Sequence, residues 1–87
     1  IHVAHILVEH RYEAEDLLKK LQAGEEFAKL AQKFSKCPSK ARGGDLGPVE
    51  SQRLDETFAE AAGELEVGKI SPVVRTRFGH HLIQRLA

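Results

Sequence analysis

The chain has 87 residues, 41% of them hydrophobic and 30% charged, which is enough for one small soluble domain around one modest core. Thirteen Lys and Arg balance thirteen Asp and Glu, so no global field draws the chain toward nucleic acid or an acidic membrane surface. No apolar run reaches the ~18 residues of a membrane-spanning helix, and the single cysteine, Cys37, excludes an internal disulfide.

Residues 1–8 are apolar and β-branched and predict a strand. Alternation places Ile1, Val3, His5 and Leu7 on one face and His2, Ala4, Ile6 and Val8 on the other. A helix is predicted over 12–23, where Ala14, Leu17, Leu18 and Leu21 form one stripe and Gly24 supplies the stop. A second helix is predicted over 25–34, with Phe27, Leu30, Ala31 and Phe34 on its buried stripe and Glu25 and Glu26 in its first turn. Residues 35–45 have the composition of a loop, and a loop of that length in a compact domain points to function.

A short strand is expected over 46–49 and a third helix over 55–62. Gly63 and Gly68 bracket a turn. Residues 70–76 are extended but interrupted by Pro72, which cannot donate to a ladder and belongs at a strand start or edge. The last strand spans 80–86, after Gly79, a residue that permits a close backbone approach. The order β-α-α-loop-β-α-β-β predicts an α+β domain over residues 1–87, with helices packed on a small antiparallel sheet. A small neutral domain of this kind is expected to be a monomer. The chain opens on Ile1 rather than on an initiator methionine, so the absence of a leader says little about targeting. The lone cysteine favours a reducing, cytoplasmic setting, with a periplasmic one or a larger exported chain left open.

Several residues invite chemistry. His5 and His81 stand on apolar strands, either as satisfied core histidines or as paired site residues; each imidazole needs partners for two ring nitrogens. Cys37 lies in a polar loop rather than on an apolar stripe, which argues against simple core filling. A lone cysteine with distant histidines also matches the pattern of a thiol hydrolase. His2 and His5, and likewise His80 and His81, point to opposite faces of their strands, so no metal site is expected. The segment Gly43-Gly44-Asp45-Leu46-Gly47 lacks the lysine and hydroxyl of a phosphate loop. No cofactor is implied.

Three segments occur in order: His5-Ile6-Leu7-Val8, then Cys37-Pro38-Ser39 through Gly43-Gly44-Asp45-Leu46-Gly47, then Phe78-Gly79-His80-His81-Leu82-Ile83. Taken together they resemble the parvulin family of peptidyl-prolyl cis/trans isomerases, over essentially the whole chain, and the compact form is most similar to the small bacterial parvulins. The resemblance implies a four-stranded antiparallel sheet surrounded by helices, with a shallow groove for proline-containing segments of peptides and folding client proteins. By motif, His5 and His81 correspond to a buried histidine pair, Cys37 to the active-site cysteine, and Thr76 to a hydroxyl bonded toward the pair. Leu46, Leu54 and Phe58 correspond to the walls of the proline pocket and Phe78 to a residue beside the substrate.

Two departures bear on the expected activity. Where the family carries Gly-Gln-Met, this chain has Gln52-Arg53-Leu54; Leu for Met conserves volume, a swap that costs under ~1.5 kcal/mol in a core. Where phosphate-directed members carry clustered cations, this chain has Glu9-His10-Arg11-Tyr12-Glu13, and carboxylates repel a phosphate dianion. The expected function is rotation about X–Pro bonds by a non-covalent route and without phosphoserine or phosphothreonine preference. The competing reading is a non-catalytic peptide-binding or chaperone module on the same fold.

Overall fold

The structure is a computed structural model that describes residues 1–87. Its elements run β1 (His2–Val8), α1 (Arg11–Gln22), α2 (Phe27–Phe34), a 3-10 turn (Pro38–Arg42), β2 (Asp45–Pro48), a second 3-10 turn (Ser51–Arg53), α3 (Glu56–Glu64), β3 (Val74–Thr76) and β4 (Gly79–Arg85). The strands form one antiparallel sheet in the order β2-β1-β4-β3, the α+β arrangement expected.

The period-2 pattern of the two central strands sorts their side chains onto two faces. Ala4, Ile6, Val8 and Leu82 pack against Ala14 and Leu17 of α1 and Phe27, Leu30 and Ala31 of α2. Val3 and Ile83 pack the opposite way, with Val74, Phe58 and Ala62 under α3. Two helices therefore cover one face and a single nine-residue helix covers part of the other.

Several boundaries differ from the sequence expectation for identifiable reasons. Glu25 and Glu26 lie outside α2, whose N-cap is Glu26. The Gly24 and Glu25 amides instead bond back to Leu21 and Lys20 at 3.0 and 3.1 Å, closing the end of α1. Phe34 ends α2 and is 39% exposed rather than buried. The loop over 35–45 is not irregular throughout, because Pro38 starts a 3-10 turn with its fixed φ. Helix α3 continues through Gly63, beyond the predicted stop at Ala62; Arg85 Nη1 donates to the Ala62 and Leu65 carbonyls at 3.1 and 3.3 Å and so satisfies its C-terminal end.

Pro72 divides the extended segment as its missing N–H requires. Ile70 bridges to Gln84 and Val74 pairs with His81, leaving one extra residue on the edge segment between them. No helix is long and apolar enough to cross a membrane.

Candidate active site

The face under α3 changes character along each central strand. On β1 it runs from Val3, fully buried, through His5 to half-buried Leu7; on β4 it runs from Ile83 through His81 to Gly79. In register, His5 opposes Ile83 and Leu7 opposes His81, so the two histidines are diagonal neighbours. They are 6% and 3% exposed. Their Nδ1 atoms lie 3.1 Å apart and the rings stack at 20° with centroids 5.3 Å apart.

The Nδ1–Nδ1 contact requires one ring to donate and the other to accept, so at least the accepting imidazole is neutral. Burial, with His81 alongside, pushes the His5 pKa down to about 4. Burial also lowers His81 to about 4, against the opposing pull of the Asp55 carboxylate. His81 Nε2 shares a proton with Thr76 Oγ1 at 2.7 Å, and that oxygen accepts the Phe78 amide N–H at 3.1 Å. His5 Nε2 is buried with no protein partner. An unpaired buried nitrogen costs ~1–3 kcal/mol.

Phe58 of α3 stands edge-on to both imidazoles, at 5.4 Å and 84° to His5 and 5.1 Å and 78° to His81. Its placement follows from the helix start: Asp55 is the N-cap, and its Oδ1 accepts the Thr57 and Phe58 amides at 2.9 and 3.2 Å. Above the pair opens a groove of about 380 Å³. Leu46, Leu54 and Phe58 wall it, Leu7 and the histidines floor it, and Cys37 and Phe78 stand at its margins.

The loop that carries Cys37 is clamped to β1. Ser35 Oγ accepts the Leu7 and Cys37 amides at 3.0 and 3.3 Å, and the Lys36 amide donates to Leu7 O at 2.7 Å. Gly44, at φ +84°, lets its carbonyl accept the His5 amide at 2.9 Å, where a Cβ would stand 2.3 Å from His5 O. No other residue type fits that approach. Asp45 Oδ1 fixes the following turn, accepting from Gly47 N and meeting His2 Nε2, each at 2.7 Å; the Gly47 N–H first, then His2, hold this carboxylate below its usual range. Gly79, at φ +139°, makes the matching approach to Val8 O at the far end of β1.

All eight residues singled out from sequence converge here. Seven line the groove, and Thr76 stands behind His81. Cys37, half-buried, is bonded to Ser35 and receives the Ser39 hydroxyl at 3.2 Å, and no hydrogen bond joins it to either histidine. Sequence reasoning missed Leu7, Lys36, Pro38 and Asp55 as lining residues. Asp55 had a visible signal, an acidic residue directly before a helix. No group of three or more His, Cys, Asp and Glu side chains stands together as a metal site would require.

Residues 5–87 match the family model described as Rotamase, the PPIC-type PPIase domain. The chain is 42% identical over 86 residues to the foldase protein PrsA of Bacillus subtilis, a match that covers 98% of this chain and 30% of that protein. The crystal structure of PrsA from Bacillus subtilis superposes with a TM-score of 0.97 at 41% identity, over all of this chain and 34% of the other. A parvulin of Nitrosopumilus maritimus gives 0.88 at 36% identity, over all of this chain and 95% of that one. A structure of SurA-like chaperones of Campylobacter jejuni gives 0.93 at 33% identity, over 38% of that chain. This chain therefore spans about a third of the length of the curated relatives it matches.

Proposed function

We propose, from the premise that this chain belongs to the PPIC-type peptidyl-prolyl cis/trans isomerase family, that its groove grips a proline ring and lets the preceding peptide bond rotate without covalent attack. The activity itself, isomerisation of X–Pro bonds, belongs to the family; the mechanism and the residue roles are our reading. The observation that carries it is the groove: apolar walls of Leu46, Leu54 and Phe58 above two neutral, mutually bonded histidines.

Amide rotation crosses ~18–20 kcal/mol because twisting destroys resonance. A thousandfold acceleration asks for only ~4 kcal/mol. The twisted amide has lost the charge separation of the planar one, so an apolar groove that strips water from the carbonyl favours the twisted form. Holding the ring between Leu46, Leu54 and Phe58 fixes one side of the bond while the other turns. His5, His81 and Thr76 maintain the groove's floor in one geometry. Cys37 tunes polarity at the margin. A nucleophilic cysteine needs an adjacent base, and no hydrogen bond joins the Cys37 thiol to a histidine: its Sγ receives the Ser39 hydroxyl, while the two Nδ1 atoms bond each other and His81 Nε2 bonds Thr76.

The substrates on this reading are proline-containing segments of flexible or unfolded client proteins, in keeping with relatives named as foldases and chaperones. Phosphate preference is absent for a physical reason: Arg11, the cation after β1, is engaged with Glu15 at 2.9 Å, and Glu13 bonds the His10 amide. We further place the domain inside a longer folding-factor chain of the kind its relatives form. Its compartment is then set by the rest of that chain rather than by the single cysteine from which a cytoplasmic setting was expected. The deciding experiment is a protease-coupled isomerisation assay on an Ala-Xaa-Pro-Phe peptide. Catalysis well above the spontaneous rate supports the enzyme; saturable peptide binding without acceleration would replace it with a binding module.

A further inference from the structure

Phe78 presents an unusual combination. It lines the groove yet is 59% exposed, on the turn between β3 and β4. An exposed aromatic on a turn is held only by what it touches. From within, its amide is tied to Thr76 Oγ1. From without, the Arg77 guanidinium lies over its ring, 4.9 Å from the centroid, within the range of a cation–π contact. Arg77 in turn approaches Asp55, which like Phe78 lines the groove, with its Nε 3.9 Å from Asp55 Oδ2. Asp55 is the rigid end of this chain. Its side chain is only 18% exposed, and its other oxygen is spent on the two amides that start α3.

We propose that Asp55 and Arg77 form a strap at the groove that positions Phe78 over the bound proline segment, with Arg77 as the positioning residue. The residues on the two sides come from different elements, Leu54 and Phe58 from the second 3-10 turn's end and from α3, and Phe78 from the β3–β4 turn. No strand hydrogen bond connects α3 to that turn, and the strap is the polar contact between them. Because Arg77 is 78% exposed and the pair is loose, the strap yields when substrate enters and leaves. Its effect falls on substrate binding and not on the rotation step. The inference rests on the isomerase reading above.

The test measures kcat and KM on the proline peptide, and Kd for the same peptide by NMR titration, at low salt and at about 1 M salt, where the Debye length is ~3 Å. The chains compared are the parent, Arg77→Ala, Asp55→Asn and the double variant. Asn is as good an N-cap as Asp, so Asp55→Asn removes the charge and keeps the helix start. Arg77→Ala is expected to raise KM and Kd about two- to fivefold at low salt, the span an exposed ion pair supports, with kcat unchanged. Asp55→Asn is expected to raise Kd by the same factor at low salt, and the double variant to raise it no further than either single change. High salt should weaken the parent's binding and leave the variants flat. Unchanged Kd in Arg77→Ala, additive losses in the double variant, or a salt-insensitive parent would each overturn the strap. A parent that binds the peptide with the predicted salt dependence but does not turn it over would uphold the strap and remove the isomerase reading instead.

Discussion

The two faces of the sheet share the same strands and differ in everything else. On the face under α1 and α2, the buried β1 residues Ala4, Ile6 and Val8 are all aliphatic and join a nine-residue core cluster, with half-buried His2 bonded to Asp45 at the start of the strand. On the face under α3, the same strand carries Val3, then His5, then half-buried Leu7, and the covering helix ends before it reaches them all. The first face holds the larger core and supplies stability, and the pocket of about 270 Å³ beside it is lined by Val8, Leu17 and Phe34 together with the charged Glu13, Asp16 and Lys20. The second is left partly open, and the opening is the groove. A small domain can be both stable and binding-competent when the two demands fall on opposite sides of one sheet.

Cutting into the first face should have the largest effect, and on stability alone. Ile6 is 1% exposed, so Ile6→Ala is expected to cost ~2–5 kcal/mol, a large part of the ~5–15 kcal/mol that holds a domain together. Urea denaturation measures the loss, and activity per folded molecule should be unchanged. Phe58→Leu is the matching cut on the open face. It removes two edge-on contacts to the histidines, ~1–3 kcal/mol of stability, and also reshapes the groove wall, so kcat/KM per folded molecule is expected to fall roughly tenfold as well. If both variants lost stability and activity in equal proportion, the two faces would not be separable.

Acid should attack the open face selectively. His5 and His81 have pKa values lowered from 6.5 to about 4, so between those values the unfolded chain binds protons at these positions and the folded chain does not. Stability therefore rises with pH through that window; the contribution is fully present above 6.5 and is lost as pH falls toward 4. NMR titration of the histidine ring protons is the direct check. Either of these two rings titrating near 6.5 in the folded protein would contradict a buried neutral pair.

Cys37 sharpens the chemistry of the open face. A polarity-tuning group can be replaced by another small polar one, whereas a nucleophile cannot. Cys37→Asp is expected to retain a substantial fraction of kcat/KM and Cys37→Ala to lose more, each variant first shown to be folded, because a half-buried carboxylate carries its own cost. Two folded but equally inactive variants, with parent activity following a thiol titration, would establish covalent attack. The smallest expected effect is none at all: a phosphoserine-proline peptide should be turned over no faster than its unphosphorylated twin, and a tenfold preference for the phosphopeptide would show a cation site that Arg11, paired with Glu15, does not provide.

Much of this was legible in the chain. Alternation along residues 1–8 separated Val3 and His5 from Ala4 and Ile6, and 3.6-residue spacing found the stripes of α1 and α2, because both are one-dimensional consequences of backbone geometry. Motif order brought the eight site residues together in expectation. Boundaries were less legible. Where α1 ends and α2 begins depends on which carbonyl the Glu25 amide finds, and α3 outlasts Ala62 because Arg85, from the far end of the chain, satisfies its last carbonyls.

By itself, then, the sequence determined the two faces of β1, the elements that cover them and the family to which the chain belongs, since period and motif need no partner. Only the tertiary structure decided that His5 and His81 meet through their Nδ1 atoms, that the Cys37 thiol bonds Ser39 rather than a histidine, and that Asp55 and Arg77 approach each other. The partners in the histidine pair and the strap are separated by 76 and 22 residues along the chain. Contacts of that range are set by the antiparallel register of β1 on β4 and the docking of α3, which no local pattern encodes.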